Sequence, residues 1–343
     1  MRLSGFIRGC LTVGLCLLLS AGVCAQKSVR VVFYNLENCF DCIDDEGKND
    51  GQFTPEGDYH WTEKRYQTKL RHLSQALAAA GQDGFPDIVG MAEIENEGVL
   101  QQLLRTANMS RDYRYVYHES PDKRGIDVCF VYNRFRFRLL ETHWFAVYPK
   151  GSRHSSRDIL YVKGRLADRR DIHFFVCHWP SRYGGAKESE PGRFQAAQVV
   201  KFRTDSIMAA DSRARILIMG DFNDEPTDLS LMRELQARPD TCRCRPAELY
   251  NLMWQLAVSD QKPKSYKYQG RWSELDQIIV SSALYRSPEL RPRSGVLAKD
   301  FLLTEDTRYM GVKPFRTYNG RSWLGGYSDH LPVWADIPLS PAE

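Results

Sequence analysis

Short apolar runs alternate with amphipathic stretches along the chain, and the hydrophobic period switches between about two and about 3.6. Segments 29–36, 87–94, 113–117, 127–132, 159–166, 172–178, 216–220, 275–280 and 331–337 have strand length and are rich in β-branched and aromatic residues. Segment 62–80 reads as a helix: Thr62 is placed to cap it, Tyr66, Leu70, Leu73 and Leu77 share one face, and Gly81 ends it. Segments 98–107 and 193–210 also read as helices, the latter feeding the strand at 216–220. Strands outnumber helices, and many neighbouring strands are separated only by a turn. That pattern predicts an α+β sandwich of two packed, mostly antiparallel sheets with helices outside. No internal repeat, low-complexity tract or Pro/Ser linker divides the chain, so residues 26–343 are expected to form a single domain.

The first 25 residues change the picture of where that domain works. Arg2 and Arg8 precede an apolar run from Cys10 to Leu19, and small residues lead to Val23-Cys24-Ala25. This is the pattern of a secretory signal cleaved before Gln26. The run is too short for a dependable membrane span, and Val23 before Cys24 suits lipid attachment poorly. An exported protein is expected, periplasmic or released, monomeric and without a stable membrane span. Its formal charge of +4 would fall by two with the leader, a balance that neither identifies nor excludes a nucleic-acid binder. Six of the nine cysteines lie beyond the leader. In an oxidising compartment, disulfides are expected at Cys39/Cys42 and Cys242/Cys244, within or between the pairs. A four-cysteine zinc site is disfavoured because one residue separates Cys242 from Cys244, and Cys129 and Cys177 read as buried thiols. The acidic segment 41–58 lacks the alternating ligand spacing of a calcium loop and reads as a solvated insertion. Arg134, Arg136 and Arg138 alternate as on one solvated strand face.

The chemistry appears where polar residues interrupt strands. One apolar run ends in Asn35-Leu36-Glu37-Asn38, another in Glu93, a third in His178-Trp179-Pro180-Ser181 and a fourth in Asp221-Phe222-Asn223. Asp276 opens the run 276–280, and Asp329-His330 opens 331–337. Each alone is an ordinary capped strand or turn residue. Six together predict a shared rim crowded with carboxylates, amides and imidazoles. Mutual repulsion among the acids would be relieved by a bound cation, and oxygen donors suit Mg²⁺ or Mn²⁺, with Ca²⁺ also compatible. Such a set suits transfer at phosphorus, with an Asp–His pair to activate water.

These motifs, in this order from about Val29 to Ile337, resemble the endonuclease/exonuclease/phosphatase superfamily, which has the fold of pancreatic deoxyribonuclease I. The resemblance implies a four-layered α/β sandwich and a divalent-metal-dependent phosphoesterase. Glu93 would be the principal metal ligand, Glu37 would stand beside it, and Asp329 would complete a second metal position. His330, oriented by Asp276, would be the general base, or Asp221 would take that role. Asn35 and Asn223 would hold phosphate oxygens, and His178 would contact the phosphate or the leaving oxygen. Glu37 stands where aspartate is frequent, and Gln277 where an aromatic residue is frequent. Arg182, in Ser181-Arg182-Tyr183-Gly184-Gly185, and Arg124, before Gly125-Ile126-Asp127, are candidate substrate contacts.

The pair His178 and His330 resembles the deoxyribonuclease I-like branch, so an exported nuclease acting on DNA or RNA is the leading expectation. A phosphodiesterase or phosphatase for a sphingomyelin-like lipid or an inositol phosphate is the alternative, with segment 323–327 as a thin candidate for a lipid-facing hairpin. A binding protein with a dead site is disfavoured, since every expected catalytic position carries a competent residue.

Overall fold

A computed structural model describes residues 28–82, 84–148, 156–285 and 291–339; the predicted leader lies outside them. The first sheet runs in the order β14 (Arg293–Val296), β19 (Val333–Pro338), β1 (Ser28–Cys39), β2 (Ile88–Ile94), β4 (Asp127–Asn133) and β3 (Tyr113–Tyr117). The second runs β5 (Phe137–Phe145), β6 (Ile159–Leu166), β7 (Asp171–His178), β8 (Ile216–Asp221), β13 (Asp276–Ser281), β10 (Leu249–Asn251) and β9 (Ala237–Pro239). Three hairpins lie outside the sheets: β11 (Tyr266–Tyr268) with β12 (Arg271–Ser273), β15 (Leu303–Glu305) with β16 (Val312–Pro314), and β17 (Tyr318–Asn319) with β18 (Ser322–Trp323). Most ladders are antiparallel, but β1/β2, β7/β8 and β9/β10 are parallel.

Alternation along the strands sends Val31, Phe33, Phe130, Phe174 and Met219 into one core between the sheets. The sheets approach so closely at Gly90 that a Cβ there would lie 2.8 Å from Met219. Helices α1 (Glu63–Ala80) and α2 (Glu97–Thr106) cover the outer face of the first sheet, and α3 (Ala186–Ala210) covers the second. The layers are therefore helix, sheet, sheet, helix. Asn96 caps α2 by accepting from the Val99 amide. Helix α3 begins seven residues before its predicted start and contains Pro191. Ser189 Oγ donates to the Gly185 carbonyl and Arg193 Nη2 to that of Ala186, which ties side chains to the first turn.

Three expectations are corrected. Among the described residues, none of the six cysteines beyond the leader forms a disulfide. Cys39 and Cys42 pack with the helix-covered face of the first sheet, whereas Cys242 and Cys244 pack beside the inter-sheet core, so neither a cross-pair disulfide nor a zinc site can form. The arginine face is absent: Arg134 and Arg136 sit in the turn before β5, and Arg136 Nε pairs with Asp87 at 3.0 Å. Nor is segment 41–58 a simple solvated insertion, since Asp50 and Phe53 are buried within it.

Candidate active site

The strand ends meet in a cleft of about 710 Å³ between the sheets. Register explains half of it. His178 is the lateral partner of Asp221, and Asp221 of Asp276, so three functional side chains stand abreast across β7, β8 and β13. A bulge explains the other half. Pairing of β1 with β2 shifts between Asn35 and Cys39, and that of β2 with β4 shifts around Glu93. Glu37, Asn38 and Glu93 take φ values of +52°, +50° and +63°. Left-handed backbone at non-glycine residues costs on the order of 1–3 kcal/mol each and collects at functional sites. Here it re-aims the carboxylates. Trp179 and Phe222, both buried, pack edge to face at 4.7 Å and lock the ends of β7 and β8 together.

His330 Nδ1 lies 2.6 Å from Asp276 Oδ2, and its Nε2 lies 3.8 Å from Asp221 Oδ2. Asp276 is itself fixed, since Ser265 Oγ accepts its amide. Ser328 Oγ donates to the Asn35 carbonyl and accepts the His330 amide, which ties the His330 loop to β1. Although burial opposes a charge on His330, the carboxylates of Asp276 and Asp221 hold its pKa well above the ordinary imidazole range. Burial pushes Asp221 up to about 7 despite the His330 charge, with Asp276 adding to the rise. His178 is held well below the ordinary range by burial and by the charges of Arg157, Arg124 and His330. It is a neutral imidazole whose Nε2 lies 3.8 Å from Glu93 and 3.7 Å from Asp221. Asn35 Nδ2 donates to Asp221 Oδ2, and Asn223 Nδ2 to the Trp179 carbonyl, so each amide has one hydrogen held and one to offer.

Glu93, Glu37, Asp329 and Arg124 line the same cleft. Glu93 Oε2 accepts the Asn38 amide at 2.7 Å and lies 3.9 Å from Arg124. Its hard oxygen donors, beside no closer cation, fit a divalent metal ion. Glu37 is differently engaged. Its oxygens take Arg316 Nε at 3.2 Å and the Thr317 amide at 2.6 Å, with Lys69 Nζ at 3.9 Å. Arg316 also reaches Asp329 at 3.1 Å. A fixed guanidinium thus stands between the two acids expected to complete the metal set. Arg182 is likewise redirected: its Nε donates to the Asn223 carbonyl and its Nη2 to Asp224 and Asp228. It braces the loop after Asp221 in place of the expected phosphate contact. Arg124, donating to Asn38 Oδ1 at 2.6 Å with its side chain half exposed, faces the cleft.

The model of the endonuclease/exonuclease/phosphatase family matches residues 30–338. The chain belongs to that family. Solved structures of the family superpose on nearly the whole of it. A Bacteroides thetaiotaomicron family protein has 17% identity and a TM-score of 0.58, covering 92% of this chain and 98% of its own. D. rerio TDP2 complexed with a single-strand DNA product has 15% identity and a TM-score of 0.56, covering 90% and 98%. A B. thetaiotaomicron mannosyl-6-phosphatase has 17% identity and a TM-score of 0.54, covering 90% and 98%. At these identities the likeness is one of fold. No curated protein matches the sequence. The family is divalent-metal dependent and its members are phosphoesterases, so this chain is a phosphoric ester hydrolase.

Five site residues escaped the sequence reading. Lys69 had a signal: a lysine three residues after Tyr66 and four before Leu73, on the apolar face of α1, has to be buried. Tyr266 and Tyr268 alternate on β11 before Gly270, and the Tyr266 ring stacks 4.7 Å from His330. Arg271 and Arg316 carry no local signature.

Proposed function

We propose that this chain is an exported Mg²⁺- or Mn²⁺-dependent phosphodiesterase whose substrate is nucleic acid. The chain Asp276–His330–Asp221 beside Glu93 in one cleft carries the reading. Glu93 would hold the metal ion, which would supply positive charge at the phosphate. Arg124 and the free hydrogens of Asn35 and Asn223 hold the other oxygens. Asp221 takes the proton of the attacking water, because His330 already carries a proton held by Asp276 and serves as a charged donor to the phosphorane-like oxygens. Neutral His178 offers an N–H hydrogen bond to the leaving oxygen and transfers no proton. Export rests on residues 1–25; among the described residues no helix is long and apolar enough to cross a membrane.

Support for nucleic acid comes from the rim. Tyr183 and Tyr268 line the cleft and are exposed, which suits base stacking, and Arg124 and Arg271 line the same cleft. A small phosphate ester is the second reading. It is favoured by the engagement of Arg182 with Asp224 and Asp228 and of Arg271 with Glu225, which thins the cationic rim. The lipid version loses its hairpin, since Trp323 packs 5.7 Å from Trp61 and Tyr327 is buried. The test is hydrolysis of duplex DNA, single-stranded DNA, RNA, sphingomyelin and a sugar phosphate side by side, with Mg²⁺, Mn²⁺ or EDTA. EDTA-sensitive cleavage of a polynucleotide is expected. Turnover of the sugar phosphate alone would transfer the assignment to a phosphatase.

A further inference from the structure

The loop that follows β1 builds a second group of acids away from the catalytic row. Asp45, Asp50 and Glu95 bring one carboxylate oxygen each within 4.8 Å of one another. Asp50 is 1% exposed and Glu95 2%. Close acids on a surface are common, but Asp50 and Glu95 are buried and Asp45 partly so, and Asp50 Oδ1 and Glu95 Oε1 have no hydrogen-bond partner. A buried carboxylate oxygen left without donor or cation costs several kcal/mol as an order of magnitude. The remaining oxygens are used by the fold: Glu95 Oε2 accepts the Asp41 amide at 2.6 Å, and Asp50 Oδ2 the Asp45 amide at 3.3 Å. The nearby lysine does not answer the charge. Lys48 Nζ is turned to Glu119 at 2.5 Å and to the carbonyls of Ser120 and Asp122.

We infer that Asp45, Asp50 and Glu95 form a Ca²⁺ site, separate from the catalytic metal at Glu93. Three carboxylates with no nitrogen or sulfur donor select a hard cation, and a loop supplying two of them suits the variable geometry of Ca²⁺ better than the strict octahedron of Mg²⁺. The site has a structural consequence. Asn38 donates to Glu93 and Asp41 to Glu95, so the chain leaving β1 hangs on two carboxylates two residues apart, one near the end of β2 and one just beyond it. A cation joining Asp45, Asp50 and Glu95 pins that loop and, through it, the bulge that aims Glu93.

The test uses the full mature chain, stripped with chelator, in an E93Q background so that the catalytic position does not contribute. Calorimetric titration with CaCl₂ is expected to give one Ca²⁺ per chain. D50N or E95Q added to E93Q is expected to weaken binding at least tenfold, and circular dichroism of each variant verifies that it is folded. Hydrogen exchange on the E93Q protein alone provides a measurement that needs no second substitution. Ca²⁺ is expected to slow exchange in 41–53 and to leave the segment around His330 unchanged. Absence of Ca²⁺ binding in E93Q, undiminished binding in folded D50N and E95Q variants, or unaltered exchange in 41–53 would each overturn the assignment.

Discussion

His330 and Asp276 share a hydrogen bond of 2.6 Å between Nδ1 and Oδ2, in a place where Asp276 is fully buried and its second oxygen has no partner. A buried carboxylate of this kind has one outlet for its charge, the imidazole, and it therefore holds the proton on His330. D276N replaces that charge with a dipole. The expected result is a drop in kcat/KM of about 10²–10⁴-fold, the usual span for a positioned acid–base group. The His330 imidazole pKa, followed by NMR titration, falls with it. A variant with near-normal kcat/KM would remove His330 from the charged-donor role.

The pH profile separates the two candidate bases. Burial, reinforced by Asp276, raises Asp221 to about 7, so it is neutral below that pH and ionised above it. His330 is shifted the other way relative to its task, being protonated well beyond the ordinary imidazole range. With Asp221 as base, kcat/KM rises as the pH passes through about 7 and then levels. With His330 as base, the rise would come only at distinctly higher pH. Activity of D221N measured from pH 5.5 to 9 is expected to be low and to lack the step.

Glu93 is the acid with the freest access to a cation, so E93Q should raise the Mg²⁺ concentration needed for half-maximal activity by at least tenfold and lower kcat. Titrating activity against Mg²⁺ checks this. An unchanged metal requirement would shift the metal to Glu37 and Asp329, which hold Arg316 between them.

Arg316 is the residue that reorganises the expected metal set. Removing it leaves Glu37 and Asp329 to repel each other, with Lys69 beside Glu37 and His330 beside Asp329 to offset part of the charge. The guanidinium is over one-third exposed, so solvent screening limits the loss. R316M is expected to destabilise by about 1–3 kcal/mol in urea unfolding, and R316M/D329N to recover part of it.

What could be read beforehand divides along physical lines. Strands such as β4, β6 and β8 announce themselves because an apolar run of strand length has few other uses. The rim residues could be read because they break those runs at the ends. Short strands such as β9 to β12 gave no sign, since three residues carry no period. Arg182 and Glu37 line the cleft, yet their partners Asp228 and Arg316 come from loops, and loop geometry leaves no trace in hydrophobic patterning.

Stability far from the cleft depends on Arg30 and Asp336, whose relation is equally long-range. Arg30 gives Asp336 two hydrogen bonds, at 2.6 and 3.0 Å, across the β1–β19 ladder, donates to the Ala80 carbonyl at the end of α1, and stacks on Trp334. Both residues are more than nine-tenths buried. Truncating one member of a buried pair strands the other, which typically costs about 3–5 kcal/mol. D336N should therefore lower the urea midpoint by an amount corresponding to about 3 kcal/mol or more, while R30M/D336L, which removes both charges, should cost less than D336N alone. If the double variant were the less stable, the packing of the guanidinium on Trp334 and α1 would outweigh its charge as the source of the stabilisation.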